Sequence, residues 1–407
     1  MSVLRRLRWG RVSVAALLVV AAVAAVTSAV LISRGSGAHA IADATHCPAS
    51  PAGPVGAGIP VLLVGRPVPP RKPGGPNGRP GQPTCVFTWA GQALGRGADA
   101  LGCFEACGPQ LYDPAGRVAA DFYAGDTDTI TGAAVRAHVP ATPTTFSDDG
   151  QHICQLDTDP HQPAAGGLPF LLTTLTDATV RSSRVLGLSR SWSLLACSPT
   201  RDRAVVISDD DTTIVLLRPS TGAVLATTRT AGLLPPPLTG RRLTIIASPD
   251  AATVAVTPRD GTDTYLPPPD GATVTVDPST GRVRSRYPGQ AVALSSAGQL
   301  LLLNHTVAPT GGTMIPPGSP AAWTQVVDAS GQTRLQRPGL ATGWLAQPGG
   351  TGLAVDLTPG TGEAAATSGL ELWLTSPDRP AQALALVAAA SNDHGGNLIN
   401  GYRRFPP

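Results

Sequence analysis

Apolar and polar positions divide the chain into three stretches with different periodicities. Val12 to Ile32 is 21 residues without a charge. As a helix rising 1.5 Å per residue it spans about 31 Å, close to the ~30 Å hydrocarbon core of a bilayer. Residues 33–83 have no sustained period. Residues 48–83 hold eleven prolines, with Pro69-Pro70-Arg71-Lys72-Pro73-Gly74-Gly75-Pro76 the extreme, and such a composition makes an extended, semi-rigid linker. One apolar island at 59–64, Ile59-Pro60-Val61-Leu62-Leu63-Val64, has the length of a single strand. It is a candidate closing element that pairs with the distant C-terminus. From residue 84 to 407 short apolar runs alternate with Gly, Pro, Ser and Asp clusters, the pattern of strands and turns rather than of amphipathic helices.

Within 84–407 the pattern repeats. A turn followed by an apolar strand occurs at Phe146-Ser147-Asp148-Asp149-Gly150, Cys197-Ser198-Pro199, Ala247-Ser248-Pro249-Asp250, Leu294-Ser295-Ser296-Ala297-Gly298 and Ala346-Gln347-Pro348-Gly349-Gly350. The aligned positions 147, 198, 248, 295 and 347 are 51, 50, 47 and 52 residues apart. A second signature, strand, Gly-closed turn, strand, lies between them: Tyr112-Asp113-Pro114-Ala115-Gly116, Leu217-Arg218-Pro219-Ser220-Thr221-Gly222, Val276-Asp277-Pro278-Ser279-Thr280-Gly281 and Val327-Asp328-Ala329-Ser330-Gly331. Asp or Ser opening a turn and Gly closing it is hairpin chemistry. A period near 50 with four short strands is the size of a propeller blade.

The Ser-Pro-Asp turn at 248–250 and the Asp-Pro-Ser-Thr-Gly turn at 277–281 are similar to those of β-propellers of the broad quinoprotein-like, YVTN and TolB-like group. The resemblance covers roughly residues 84–390 and implies an all-β propeller; with the apolar segment and the Pro-rich stretch before it, the expected architecture is one transmembrane helix, a Pro/Gly-rich linker and six or seven four-stranded blades. Six units are centred on turns near 116, 177, 222, 281, 331 and 378. The 59–64 island with the segment around 397–402 supplies a seventh, and seven is the preferred number. The quinone-docking pattern of that group has Trp four residues after the turn glycine. Those positions here are Ala120, Ala226, Ser285 and Leu335, and no cofactor is expected.

Charge places the ends. The formal net charge is +3. Arg5, Arg6, Arg8 and Arg11 supply four positive charges ahead of the apolar segment, so the remainder carries about −1. The positive-inside bias puts residues 1–11 in the cytoplasm and the body outside it, on the cell membrane as a single-pass protein. A cleaved leader is the alternative, since Ala38-His39-Ala40 has the small-x-small form of a cleavage site and would release a secreted chain near Ala40. A near-neutral body without a basic run gives no footprint for nucleic acid.

Six cysteines, Cys47, Cys85, Cys103, Cys107, Cys154 and Cys197, all follow the apolar segment. An even number in an exported chain implies disulfides, with 15 possible connectivities. Cys103 and Cys107 on one extended strand would have Cα atoms about 13 Å apart, too far to pair with each other.

Catalytic signatures are sparse. No GxSxG, HExxH, GxxxxGK or GxGxxG occurs, and Lys72 is the single lysine. The Asp209-Asp210-Asp211 tip could hold Ca²⁺, but without the spaced ligands of a dedicated loop it reads as a solvated turn. Asp126-x-Asp128 and Asp157-x-Asp159 are weaker versions. His152 and Cys154 alternate on one strand and share a face. Trp192, Trp323, Trp344 and Trp373 recur at blade-related positions, fit for packing or for lining a ligand face. No catalytic, cofactor or metal residue is assigned. The expected function is a non-catalytic binding or scaffold module at the cell surface, facing a protein or glycan of the envelope. The alternative is an exported lactonase-like hydrolase with a metal in the central channel.

Overall fold

The strongest apolar runs, such as Ala204-Val205-Val206-Ile207, are β-branched and flanked by turn residues, and they form the central strands of sheets. The computed structural model describes residues 61–65, 84–96, 107–112, 118–123, 144–157, 167–174, 179–188, 191–234, 242–258, 272–305, 322–358, 370–387 and 399–403. Val12–Ile32, most of the linker, Cys47, Cys103, Asp126, Asp128 and Asp159 lie outside the described residues. Among the described residues no helix is long and apolar enough to cross a membrane.

The first strands are β1 (Val61–Gly65), β2 (Thr84–Thr88), β3 (Ala93–Arg96), β4 (Cys107–Tyr112) and β5 (Val118–Tyr123). Five sets of four follow. They are β6 to β9 (Thr144–Phe146, His152–Leu156, Leu168–Thr174, Val180–Val185), then β10 to β13 (Trp192–Ser198, Arg203–Ser208, Thr213–Arg218, Ala223–Arg229). Next come β14 to β17 (Leu243–Ala247, Val254–Pro258, Ala272–Asp277, Arg282–Pro288) and β18 to β21 (Gln290–Leu294, Leu300–His305, Ala322–Val327, Thr333–Pro338). The last set is β22 to β25 (Leu340–Ala346, Leu353–Thr358, Leu370–Ser376, Arg379–Val387), and β26 (Ile399–Arg403) is the last strand among the described residues.

Each set of four is one antiparallel meander in chain order, and the remaining strands form a six-stranded sheet in the order β3-β2-β1-β26-β4-β5. Sequential four-stranded meanders packed face to face are the blades of a β-propeller. The six-stranded sheet is blade 1 and the meanders are blades 2 to 6. Successive blades from 2 to 6 touch through their first strands, and β26 of blade 1 lies against β22 and β23 of blade 6.

Six sheets, not the preferred seven, make up the described residues. The 61–65 island does pair antiparallel with 399–403, and also with β2. The two segments do not build a blade of their own but join the sheet of 84–96, so the β body starts before residue 84. Among the described residues the unit around turn 116 contributes the β4–β5 hairpin, which attaches to β26 in parallel. Pro109 cannot donate to a ladder, and the β4–β5 register jumps between Cys107 and Gln110.

Burial explains the apolar runs. Residues 204–207, 214–217, 254–258 and 273–276 are buried without a break, because blades 3 and 4 are each covered on both faces. Alternate residues serve different neighbours. Ala204, Val206, Val215 and Leu217 pack into the cluster with blade 2, while Val205, Ile207, Ile214 and Leu216 pack into the cluster with blade 4. Two further clusters join blades 4 to 5 and 5 to 6. Gly222 shows how close neighbours come. It has φ 71°, and a Cβ there would stand 2.0 Å from the carbonyl oxygen of Arg184 on the outer strand of blade 2.

Cys154 and Cys197 form a disulfide with Cα atoms 6.3 Å apart, joining β7 of blade 2 to β10 of blade 3 across 43 residues. Replacing both with Ser is expected to cost about 2–4 kcal/mol, read as a lower Tm; an unchanged Tm would show the cross-link to be idle. Deleting 394–407 removes β26, the strand between β1 and β4, and should lower Tm or the cooperativity of melting. A truncated chain that melts like the full one would show that β26 does not hold blade 1 together.

Candidate functional site

The two repeated signatures are the hairpins of the blades. The first, at 147–151, 198–202, 248–252, 295–299 and 347–352, links the first strand of a blade to its second; the second, seen at 218–222, 277–281 and 328–331, links the third to the fourth. Most of their polar side chains are consumed in closing turns. Ser248 Oγ accepts from the Thr253 amide at 3.0 Å and donates to Asp250. Ser147 Oγ likewise accepts from the His152 amide. Burial raises the Asp149 carboxyl, but hydrogen bonds from His152, Ser147 and the Gln151 amide outweigh it and hold the group at about 2. His152 therefore serves the turn, and Cys154 the disulfide.

Other turn groups tie blades together. Asp148 Oδ2 accepts from Ser198 Oγ at 2.7 Å and Thr200 Oγ1 at 3.1 Å in blade 3. Its backbone oxygen accepts from the Gly349 amide of blade 6. Burial pushes the Asp148 carboxyl above its ordinary value despite these donors. The Asp209–Asp211 tip is a turn of the same kind, with Asp210 Oδ1 accepting from Ser208 Oγ and from the amide and hydroxyl of Thr212. Among the described residues no three His, Cys, Asp or Glu side chains converge as metal ligands. The four tryptophans do not share one surface. Trp373 is buried, donates to Glu371 at 2.7 Å and stacks under Arg337, whereas Trp344 is exposed.

Charge collects elsewhere. The outer strands β9, β13, β17, β21 and β25 carry Arg181, Arg184, Arg229, Arg282, Arg284, Arg286, Arg334, Arg337 and Arg379, and no Asp or Glu. Arginines on an exposed edge resist strand addition from another molecule. Two of them are tied inward, Arg284 to Asp277 at 2.7 Å and Arg334 to Asp328 at 2.6 Å.

A cleft of about 530 Å³ opens on blade 3 beside the Ser279 turn of blade 4. Its charged lining is Arg201, Asp202, Arg203 and Arg218, with Leu216 and Leu225 as the apolar part. Arg201 Nη1 lies 2.9 Å from the buried Asp250 carboxylate of blade 4. Asp202 accepts from the amide and hydroxyl of Ser220 at 2.9 and 2.6 Å. Arg218 Nε stands 3.7 Å from the same carboxylate. This arginine-walled cleft is the candidate site. Sequence reasoning missed it, although the signal was there in the repeat. Arg218 occupies the turn position that is Asp277 and Asp328 in blades 4 and 5.

No family model and no curated protein matches the chain. Solved structures that share its shape are distant. Dihydro-heme d1 dehydrogenase NirN in complex with DHE is 14% identical over 82% of this chain and 63% of that one, with a TM-score of 0.40. TolB from Acinetobacter baumannii is 12% identical over 69% and 64%, with a TM-score of 0.33. The Cps50 (Swd1) β-propeller domain from Myceliophteria thermophila is 10% identical over 68% and 88%, with a TM-score of 0.40. The chain spans less than two thirds of the length of the first two. At such TM-scores none bears on function, and the propeller assignment rests on the sheet order.

The turn carboxylates set an acid limit. Asp277 is pushed up by burial but held at about 2 by Ser279 and Arg284; Asp328 is held at about 2 by Ser330 and Arg334 against burial. Groups that titrate below the ordinary carboxylate value of about 4 stabilise the fold above it and lose that contribution as pH falls toward 2. Tm should therefore drop between about pH 4 and 2, and D277N should flatten part of the drop. A Tm flat across that window would show that these turns contribute nothing.

Proposed function

We propose that the chain is a membrane-tethered propeller displayed outside the cytoplasm, where it acts as a non-catalytic module that binds a protein or glycan of the cell envelope. The observation that carries the binding role is the blade 3 cleft. There Arg218 stands where the sibling turns carry Asp277 and Asp328, and with Arg203 it lines a cleft beside the exposed Leu225. Display outside the cytoplasm is supported by the Cys154–Cys197 cross-link, because disulfides persist in oxidising compartments. It is also supported by the arginines before Val12–Ile32 and the length of that apolar segment.

Two measurements test the proposal. A reporter that is active only outside the cytoplasm, fused after Pro407, should be active; activity of a cytoplasm-only reporter there would overturn the topology. Purified full-length protein in detergent should co-sediment with envelope material isolated from the cell that makes it. Failure to co-sediment would overturn the binding role.

A further inference from the structure

Blade 3 departs from its siblings in one coupled set of residues. In blade 4, Asp277 opens the turn between third and fourth strands. Its Oδ1 accepts from the Ser279 amide and hydroxyl, and its Oδ2 accepts from Arg284. Blade 5 repeats this with Asp328, Ser330 and Arg334. In blade 3 the turn opens on Arg218, and the residue seven positions on, equivalent to Arg284, is Leu225. The acid–base pair has become a base and an aliphatic side chain that is 40% exposed.

The turn nevertheless keeps its acceptor. Asp202, from the preceding hairpin of the same blade, takes the Ser220 amide and hydroxyl that a turn-opening Asp would have taken. It does so from the left-handed region, with φ 50°, which Asp tolerates better than most side chains. Supplying the acceptor from another loop leaves position 218 open to a cation. Arg203 stands beside it on β11, and its side chain makes no ion pair or hydrogen bond among the described residues.

Resting on the binding role proposed above, we infer that this cleft binds a phosphate group carried on a sugar-sized body, with Arg203 and Arg218 holding the phosphate and Leu225 covering the body. Its volume of about 530 Å³ lies in the ~300–1,000 Å³ range of small-ligand sites, far more than a bare anion fills. Donors come from β11, from the end of β12 and from the turn, where Thr221 Oγ1 accepts from the Ala223 amide and keeps its own proton free to donate. A phosphate presents three acceptor oxygens and more than one charge, enough for donors from separate segments. One guanidinium fork already satisfies the two coplanar oxygens of a carboxylate.

Isothermal titration of the full-length protein in detergent with glucose 1-phosphate, inorganic phosphate, glucuronate and glucose tests the inference. Glucose 1-phosphate should bind most tightly, inorganic phosphate more weakly, and binding should weaken as salt is raised from 50 to 500 mM. R203Q and R218Q should each cost about tenfold or more in affinity, with Tm unchanged. Equal binding of glucuronate or glucose would overturn the phosphate assignment, as would full affinity in both folded variants. If either variant unfolds, the wild-type ligand series alone decides. Absence of binding to every phosphate compound by protein that still co-sediments with envelope would sink this inference and leave the binding role standing.

Discussion

Burial of the central strands of blades 3 and 4 on both faces is the constraint from which the rest of this fold follows. A strand has two faces with a period of two residues, and in the blades each face belongs to a different core. Val205 and Ile207 serve the contact with blade 4, Ala204 and Val206 the contact with blade 2. Polar groups in such strands need partners, as Thr257 and Thr273 find in each other, and the second and third strands of blade 3 read as unbroken apolar runs over 204–207 and 214–217. The outer strand escapes this rule and takes the arginines. A one-residue slip would exchange the two cores of a blade, which is why the turns that set the register are so uniform.

Those turns are uniform because they solve one problem with one set of groups. A hairpin closing onto a neighbouring blade exposes backbone amides to a crowded surface, where an unsatisfied donor is costly. Ser, Thr and Asp side chains accept those amides, and glycine lets the chain reverse against the next blade. Much of the polar content of the repeats is structural for this reason. His152, Asp149 and Asp210 look like candidate ligands when read one at a time, and the turns claim each of them.

The repeat made the architecture legible. Spacings of 47 to 52 residues marked the five meanders, and the two turn signatures marked which hairpin was which. The lone strand at 59–64 could be matched to the C-terminus because a propeller needs its chain ends to meet. Blade 1 was harder to read. Around the 116 turn the first strand is interrupted by Pro109, so periodicity alone could not separate a complete blade from a hairpin added to another sheet. The cleft was legible only in comparison. Arg201, Arg203 and Arg218 attract no notice as single residues in an arginine-rich chain. The meaning of Arg218 lies in replacing the Asp277 and Asp328 that the sibling blades carry.

That replacement also shows where such a fold can change at low cost. Leu216 and Leu217 are buried and belong to two different cores, so any polar change there would open a cavity or bury an unpaired group. Arg218, one residue on, is exposed, and its backbone turn is held by Asp202 from another loop. The acceptor for the turn and the charge at its opening have thus become separate residues. Once separated, the charge is free of the folding requirement that keeps Asp277 and Asp328 acidic in blades 4 and 5. A surface chemistry of opposite sign can then stand on an unchanged core, which makes the turn ends the places where a ligand site can arise without cost to the blades beneath.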